Sequence, residues 1–317
     1  MVPRLYIVIP CYNEEKVLPV TGELFINKIK ELISRESIDR KSKVLFVNDG
    51  SSDNTWNIIS NLSKKSEFVE GISLARNSGH QNALLAGLFV AETMCDITIS
   101  IDCDGQDDID AMDEMVSEYR KGSDIVYGIR SDRKTDTVFK KVSAEMYYKL
   151  LSKLGVDVIF NHADYRLMSC EVIRQLMKYE EVNMYLRGII PTLGYNSSEV
   201  YYSRKERMAG ETHYPLSKML ALALDGITSF TIRPLRLIIA MGIIVAFFSF
   251  VGVIWSVASA MTGETVDGWA SMTCIVCFLG GIQLISMGVV GEYVGKIYME
   301  SKHRPKYNVI KKTWEIK

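Results

Sequence analysis

The chain has 317 residues, of which 48% are apolar and 24% are charged, and its formal net charge is −1. This composition is typical of a folded protein and excludes a disordered chain, and the near-zero charge predicts no nucleic-acid binding. The six scattered cysteines do not suggest the disulfide framework of a small secreted domain. The first residues lack a basic segment followed by a long apolar one, so no signal peptide is predicted.

Short apolar runs alternate with helical patterns along the first part of the chain. Near-continuous apolar runs of this length are typical of strands buried on both faces of a parallel sheet. The predicted strands are Leu5–Pro10, Lys43–Asn48, Gly71–Ala75, Ile97–Ile101 and Asp124–Gly128. The predicted helices between them are Glu14–Ser34, Thr55–Lys65, Gln81–Thr93 and Ile109–Lys121. This alternation predicts an α/β domain with a doubly wound, Rossmann-like sheet.

Polar clusters follow the predicted strands at Cys11–Glu15, Asp49–Asp53, Arg76–His80 and Asp102–Asp108. In a doubly wound sheet, ligands bind beyond the carboxyl ends of the strands. The clusters therefore predict a nucleotide-binding crevice along one edge of the sheet. The sequence has neither Gly-x-Gly-x-x-Gly after the first strand nor a P-loop motif, which argues against a dinucleotide oxidoreductase and a P-loop NTPase.

Two of these clusters contain candidate ligand-binding carboxylates. Asp102 and Asp104 flank one residue directly after an apolar strand, and paired carboxylates in this position can hold a hard divalent cation such as Mg²⁺ or Mn²⁺. Such a cation would stabilise the charge of a departing nucleoside diphosphate. After the second strand, Asp49 is placed to accept hydrogen bonds from a base or ribose, and Gly50 permits a tight turn. Asp53 is predicted to cap the following helix.

The C-terminal quarter predicts a membrane hairpin. The uncharged runs Leu237–Gly263 and Gly268–Gly291 contain roughly 27 and roughly 24 residues, and each can span a bilayer as a helix. Basic residues flank both outer ends of the pair: Arg233, Arg236, Lys296, Lys302, Arg304, Lys306, Lys311 and Lys312. By the positive-inside rule, both outer ends face the cytoplasm. We therefore predict an integral membrane protein with its catalytic domain in the cytoplasm.

Several motifs, taken in order, resemble family 2 glycosyltransferases of the GT-A fold. The resemblance is strongest to the polyprenyl-phosphate glycosyltransferase branch, which includes dolichol-phosphate mannose synthases and bactoprenol glucosyltransferases. The matching segments in the first half are Val8–Glu15, Val47–Thr55, Arg76–Gln81 and Asp102–Asp108. Those farther along are Ala163–Met168, Arg204–Thr212, Gly291–Tyr298 and Arg304–Tyr307. The resemblance thus covers nearly the whole chain.

The resemblance implies a role for individual residues. Those assigned to the nucleotide-sugar are Pro10, Tyr12, Asn13, Glu14, Asp49, Arg76, Gln81, Asp102 and Asp104. Asp102 and Asp104 would also hold the metal. Asp164 and Arg166 would border the sugar and the acceptor phosphate as catalytic residues. Arg204 and Arg207 would bind the acceptor phosphate, although a solvated surface cluster is the alternative reading of these arginines.

The acceptor chemistry leaves the need for a general base open. A lipid phosphate is already ionised near neutral pH, so it needs positioning more than deprotonation. Asp157 and Asp164 are candidates to orient the acceptor or the sugar, or to act as a base, and Asp157 fits a plain turn equally well. The chain departs mildly from the family at Cys103 and Gly105, where Ala and Leu are frequent, and these changes keep the carboxylates.

The predicted organisation is a cytosolic GT-A domain at residues 1–210, juxtamembrane amphipathic helices at 211–236, two transmembrane helices at 237–292 and a basic cytoplasmic tail at 293–317. The predicted reaction is inverting transfer of one sugar, glucose from UDP-glucose, to undecaprenyl or another polyprenyl phosphate in a bacterial inner or plasma membrane. Glucose rests on the resemblance alone, and GDP-mannose, UDP-N-acetylglucosamine and modified arabinose donors are alternatives. A non-catalytic membrane scaffold is the rival function, and a homo-oligomer of unspecified number is compatible with either.

Overall fold

The computed structural model describes residues 2–131, 162–181, 186–203, 233–261 and 269–315. The chain divides into two compact units. In the first unit the strands are β1 (Leu5–Cys11), β2 (Lys43–Asn48), β3 (Val69–Leu74), β4 (Ile97–Ser100), β5 (Ile125–Arg130), β6 (His162–Ser169), β7 (Ser197–Tyr202) and β8 (Val309–Lys312). Its helices are α1 (Leu18–Ser34), α2 (Thr55–Lys65), α3 (His80–Ala91), α4 (Ala111–Arg120), α5 (Cys170–Leu176) and α6 (Leu186–Thr192). The second unit contains α7 (Arg233–Met261) and α8 (Trp269–Ser301).

The strands form one mixed sheet in the order β7-β5-β6-β4-β1-β2-β3-β8. The pairs β1–β2, β1–β4, β2–β3 and β5–β7 are parallel. This confirms the α/β sheet fold that the sequence predicts. The sheet is mixed, because β6 runs antiparallel to β4 and β5, and β8 runs antiparallel to β3. An apolar run shows that a strand is buried and leaves the direction of its pairing open.

The tail that the sequence predicts from residue 293 contains two structured elements. Helix α8 continues to Ser301, and strand β8 then pairs with β3 and forms the edge of the sheet of the first unit. Thr313 extends this contact, because its Oγ1 accepts a hydrogen bond of 3.0 Å from the backbone N–H of Gly71. The chain therefore returns to the first unit after α8.

Helices α7 and α8 expose large apolar side chains over most of their described surface. Exposed examples in α7 are Ile239, Ile243, Ile244, Phe247, Phe248, Phe250 and Ile254, and those in α8 include Met272, Ile275, Phe278, Leu284, Ile285 and Met287. Helices that are apolar all round and do not lie in a protein core are typical of membrane spans. Of the residues that the structure describes, Phe278–Ser301 is the one stretch that satisfies a test of length and apolar composition for crossing a membrane.

The core of the first unit covers both faces of the sheet. Successive side chains of a strand point to opposite faces. On one face, Ile7 and Ile9 of β1 belong to the same buried cluster as Phe25 of α1. On the other face, Val8 meets Gly87 of α3, where an added Cβ atom would lie 2.4 Å from Val8 Cγ1. The close approach of α3 to the sheet therefore requires glycine at this position.

Substitution of Gly87 tests this packing. Gly87→Ala would also place its methyl group 2.7 Å from Val47 Cγ2. Overpacking that displaces a helix costs about 1–3 kcal/mol, and alanine gives a helix about 1 kcal/mol over glycine. We therefore expect the free energy of unfolding to fall by up to about 2 kcal/mol. Chemical denaturation of the purified protein in detergent measures the change.

The matched control is Gly22→Ala in α1. Its methyl group would first meet the far end of the Leu62 side chain, at 3.0 Å, and this flexible group can move aside. We expect this variant to unfold close to the unsubstituted protein. Equal losses of stability in the two variants would contradict a special role for Gly87.

Candidate active site

The carboxyl ends of β1, β2, β3 and β4 lie at one edge of the sheet, as parallel pairing requires. Because β6 is antiparallel to β4, its first residues reach the same edge. Ser100 at the end of β4 pairs with Arg166, and the Ser100 hydroxyl donates a hydrogen bond of 2.6 Å to the backbone oxygen of Asp164. The antiparallel strand therefore brings Asp164 beside the loop that contains Asp102.

The loops after β1 and β2 are held together by hydrogen bonds. Asn13, at a positive φ of 56°, accepts a bond of 3.0 Å from the backbone N–H of Ser52. Its own N–H donates to Ser51 Oγ at 3.0 Å. The N–H of Glu14 donates to Thr55 Oγ1 at 2.9 Å. Because asparagine tolerates the left-handed region, Asn13 can turn the chain here and connect the two loops.

Asp49 connects the second loop to the third. Its Oδ1 and Oδ2 accept hydrogen bonds from the backbone N–H groups of Ser78 (2.7 Å) and Gly79 (3.0 Å). The side chain is buried, and burial raises its pKa while these two hydrogen bonds lower it, with a net rise. Gly50, at φ 62°, approaches the same loop so closely that a Cβ atom would lie 2.3 Å from the backbone carbon of Arg76. The structure thus shows Asp49 and Gly50 fixing the loop that precedes α3.

Asp102 and Asp104 lie in the loop after β4. The Asp102 side chain is 35% exposed, and His80 Nε2 lies 3.6 Å from its Oδ1. Asp104 Oδ1 accepts a bond of 3.1 Å from the backbone N–H of Gln106, across the turn at Gly105. Burial and the nearby negative charge of Asp164 raise the pKa of Asp102 to about 6, against the opposing effect of His80. A positively charged ligand at this position would therefore be favoured.

The donor set of this loop fits a divalent cation. In the described part of the chain, no group of three or more His, Cys, Asp and Glu residues is arranged to enclose a metal. Mg²⁺ is usually bound by one or two carboxylates, together with substrate phosphates and water. Asp102 and Asp104 can supply those carboxylates, and a nucleoside diphosphate can supply the remaining oxygens. The fit is thus to a cation that binds together with its nucleotide.

Asp164 is the centre of an ion-pair network. Its Oδ1 accepts a bond of 2.6 Å from Arg166 Nη2, and its Oδ2 accepts one of 3.0 Å from Arg187 Nη2. His80 Nε2 lies 3.5 Å from the same Oδ2. Although burial raises the pKa of Asp164, Arg187 and the other cationic partners hold it well below its ordinary value. Asp164 is therefore a carboxylate in the physiological range of pH.

Models of two known protein families match this chain. The model of glycosyl transferase family 2 matches residues 6–177, which include the loops described above. The chain belongs to glycosyl transferase family 2. The model of the GtrB C-terminal hairpin matches residues 233–297, which cover α7 and most of α8. The family resemblance and the C-terminal hairpin that the motifs predict are thus confirmed.

Full-length relatives agree with this assignment. The chain is 47% identical to an uncharacterised glycosyltransferase of Bacillus subtilis, YkoT, over 97% of this chain and 91% of the relative. It is 40% identical to the bactoprenol glucosyl transferase of Shigella phage SfV, over 96% of this chain and 97% of the relative. It is 38% identical to a prophage bactoprenol glucosyl transferase homolog of Escherichia coli K12, over 96% and 97%. The chain is therefore a membrane-associated glycosyltransferase of family 2.

The remaining residues that were predicted to bind the nucleotide-sugar differ in their exposure and contacts. Tyr12 is 47% exposed and Arg76 is exposed, whereas Pro10 is buried in β1. Gln81 faces α6, and its Oε1 accepts a bond of 3.2 Å from the backbone N–H of Leu186. Their contacts with a nucleotide-sugar stay predictions.

Arg166 has no exposed surface, and its described ion pair is with Asp164. The structure therefore shows Arg166 holding a carboxylate, and its predicted place at the sugar and the acceptor phosphate stays a prediction. Asp157, Arg204 and Arg207 lie outside the described residues, so their predicted roles also stay predictions.

Arg187 is a site residue that the sequence analysis did not find. It belongs to no motif with a recognised spacing, and its hydrogen bonds to Asp164 join α6 to β6. His80 lies within a polar cluster that the sequence analysis identified, but no site role was predicted for it. The predicted site loops contain more carboxylates than cations. This excess could have indicated that cationic side chains such as Arg187 and His80 pair with these carboxylates.

Substitution of Arg187 tests the network. Arg187→Ala removes two hydrogen bonds, from Nε to Asp164 Oδ1 (3.2 Å) and from Nη2 to Oδ2 (3.0 Å), and leaves the bond from Arg166. We expect kcat/KM for sugar transfer to fall about 10- to 100-fold, because a small misplacement of a positioned group has effects of this size. Arg187→Lys should retain part of the activity, since lysine keeps the charge and loses the two-pronged geometry. Arg174→Ala is the control, because Arg174 is an exposed arginine whose ion pairs are with Glu92 and Glu171. Equal rates for the Arg187 and Arg174 variants would remove Arg187 from the site.

Proposed function

We propose that this glycosyltransferase transfers one glucose residue from UDP-glucose to a polyprenyl phosphate, with inversion at the anomeric carbon. The observation that carries the proposal is the juxtaposition of the Asp102–Asp104 loop with the Asp164 network at one sheet edge. The first element suits a nucleoside diphosphate with its cation, and the second suits the reacting sugar. The relatives named bactoprenol glucosyl transferase support glucose as the sugar and a lipid phosphate as the acceptor.

The donor side of the site depends on charge neutralisation. Asp102 and Asp104 would hold Mg²⁺ or Mn²⁺, which supplies positive charge to the diphosphate of the leaving nucleotide. The loops joined by Asn13 and Asp49 would enclose the nucleoside, and the exposed side chains of Tyr12 and Arg76 are available to contact it. Their fixed positions reduce the reorganisation that binding requires.

The acceptor side needs orientation more than proton transfer. An oxygen of the lipid phosphate forms the new bond to the sugar C1 atom as the bond from C1 to the UDP oxygen breaks, and UDP leaves with that electron pair. Attack from the face opposite the leaving group inverts the anomeric centre and gives a β-linked product from an α-linked donor. Asp164 is held by Arg166 and Arg187, so it is a poor proton acceptor and a good hydrogen-bond acceptor for a sugar hydroxyl. We assign it the orienting role.

The membrane orientation follows from charge. Basic residues flank the outer ends of the α7–α8 hairpin, at Arg233 and Arg236 before it and at Lys302 and Arg304 after it. By the positive-inside rule, both ends lie in the cytoplasm, and the catalytic unit lies there with them. Nucleotide-sugars would then reach the site directly, and the acceptor phosphate would be presented at the membrane surface. A homo-oligomer is compatible with this arrangement.

The first test is transfer of radiolabelled sugar into an organic-extractable lipid. The purified full chain is incubated with undecaprenyl phosphate, Mg²⁺ or Mn²⁺, and separately with UDP-glucose, UDP-N-acetylglucosamine, a UDP-linked modified arabinose and GDP-mannose. We expect label in the lipid phase from UDP-glucose and its loss on addition of EDTA, because the chelator removes the cation from the diphosphate. Transfer from another donor would keep the reaction and replace glucose. Absence of transfer from every donor would favour a non-catalytic membrane scaffold.

The metal ligand Asp104 gives a sharper test. Asp104→Ala removes one of the proposed cation ligands. We expect the transfer rate to fall at least about 100-fold, since the bound cation contributes several kcal/mol to stabilising the leaving group. Asp104→Asn keeps the shape of the side chain and should be nearly as slow. The control is Glu23→Ala, which removes an exposed carboxylate on α1. Full EDTA-sensitive activity in Asp104→Ala would refute the assignment of Asp104 to the metal.

A further inference from the structure

The last part of the proposed metal loop is anchored in the protein and turned away from solvent. Asp107 is 4% exposed. Its Oδ1 accepts a hydrogen bond of 2.7 Å from the Tyr202 hydroxyl and one of 3.2 Å from Arg130 Nη2. Arg130 Nε also donates to the Tyr202 hydroxyl, at 3.3 Å. We name Asp107, Tyr202 and Arg130 the Asp107 clamp.

Neighbouring contacts fix the partners of the clamp. The Tyr165 ring packs edge-to-face on the Tyr202 ring, with centroids 5.2 Å apart. The Tyr165 hydroxyl donates a bond of 3.0 Å to the backbone oxygen of Asp108. The Ser131 hydroxyl donates a bond of 2.9 Å to the backbone oxygen of Tyr202. The clamp joins the loop to β5 and β7, and Tyr165 joins it to β6.

The clamp acts close to the proposed cation ligands. Between Asp104 and Asp107 the chain makes a tight turn at Gly105, closed by the bond from the Gln106 N–H to Asp104 Oδ1. Because the turn is so short, the two residues at its ends cannot move independently. Anchoring Asp107 therefore limits where the Asp104 carboxylate can move. Buried charge-assisted hydrogen bonds are strong enough for such anchoring. A group that orients a metal ligand in this way commonly changes metal affinity about 10- to 100-fold when it is removed.

We propose that Asp107, Tyr202 and Arg130 are positioning residues that hold the Asp102–Asp104 loop in the geometry that binds a divalent cation with the donor diphosphate. The inference rests on the proposed function, because it concerns the same loop. Arg130 and Tyr202 are also the last residues of β5 and β7. Tyr202 shortly precedes Arg204, for which the sequence predicts binding of the acceptor phosphate. The clamp therefore also ties the donor loop to the strand that leads to that arginine.

Tyr202→Phe tests the clamp, because it removes one hydroxyl and leaves the ring that packs on Tyr165. The matched control is Tyr201→Phe, the same substitution at the adjacent residue, whose side chain is 62% exposed and whose hydroxyl donates to Glu199. Binding of Mn²⁺ by the full chain in detergent is measured from the electron paramagnetic resonance signal of free Mn²⁺, with saturating UDP. The unfolding temperature of each protein is measured alongside.

We expect Tyr202→Phe to weaken Mn²⁺ binding about 10-fold, with an unfolding temperature within a few degrees of the unsubstituted protein. Its transfer rate should approach that of the unsubstituted protein at high Mn²⁺, since the defect is in holding the ligand. Tyr201→Phe should bind Mn²⁺ normally. A purely structural role of Tyr202 would instead lower the unfolding temperature and leave Mn²⁺ affinity unchanged in the folded protein.

A second variant keeps the test decisive if Tyr202→Phe does not fold. Asp107→Asn keeps an acceptor for the Tyr202 hydroxyl and removes the charge that pairs with Arg130, so we expect the same weakening of Mn²⁺ binding. Normal Mn²⁺ affinity in these variants, or equal weakening in Tyr201→Phe, would overturn the clamp alone. Failure of the unsubstituted protein to bind Mn²⁺ with UDP would overturn the proposed metal site as well, so the two failures are distinguishable.

Discussion

The position of the Asp164 carboxylate is the constraint on which the described site depends. Asp164 reaches the carboxyl edge of the sheet because β6 runs antiparallel between β4 and β5, and it stays there because Arg166 and Arg187 hold its two oxygens. A buried carboxylate without such partners would be protonated or displaced. The ion pairs therefore determine both the charge and the direction of the carboxylate that we propose to orient the sugar.

Pairing with arginine also distinguishes the other carboxylates of the site. Asp107 is paired with Arg130, and Asp164 with its two arginines, so the protein neutralises these positions with its own cations. Asp102 lies 3.6 Å from His80 Nε2, and burial raises the pKa of Asp102 to about 6. Under the proposed function, Asp102 and Asp104 would share a dissociable cation with the donor nucleotide, and that cation would enter and leave with it.

The sequence predicted the parallel strands and the sheet edge at which the polar loops meet. Buried strands and turns can be predicted in this way because each has a characteristic local sequence pattern. The strand predicted at Lys43–Asn48 and the helix predicted at Thr55–Lys65 have those bounds in the structure. The antiparallel direction of β6, the pairing of β8 and the role of Arg187 depend on contacts between residues far apart in the chain. Local periodicity contains none of that information. The sequence could predict the metal loop because its two carboxylates are one residue apart, whereas the residues that anchor the loop come from β5 and β7.

Strand β8 follows the α7–α8 hairpin in sequence and belongs to the sheet of the first unit, so the hairpin differs from an anchor attached at the end of a domain. The edge strand of a sheet presents unpaired backbone groups that favour aggregation unless they are covered. In this chain β3 is covered by β8, which follows α8 in sequence, and Thr313 satisfies the N–H of Gly71. The α7–α8 hairpin is therefore an insertion between two parts of the catalytic unit. A chain cut before the hairpin would lose the cover of β3, so the stability of the catalytic unit depends on residues beyond the membrane segment.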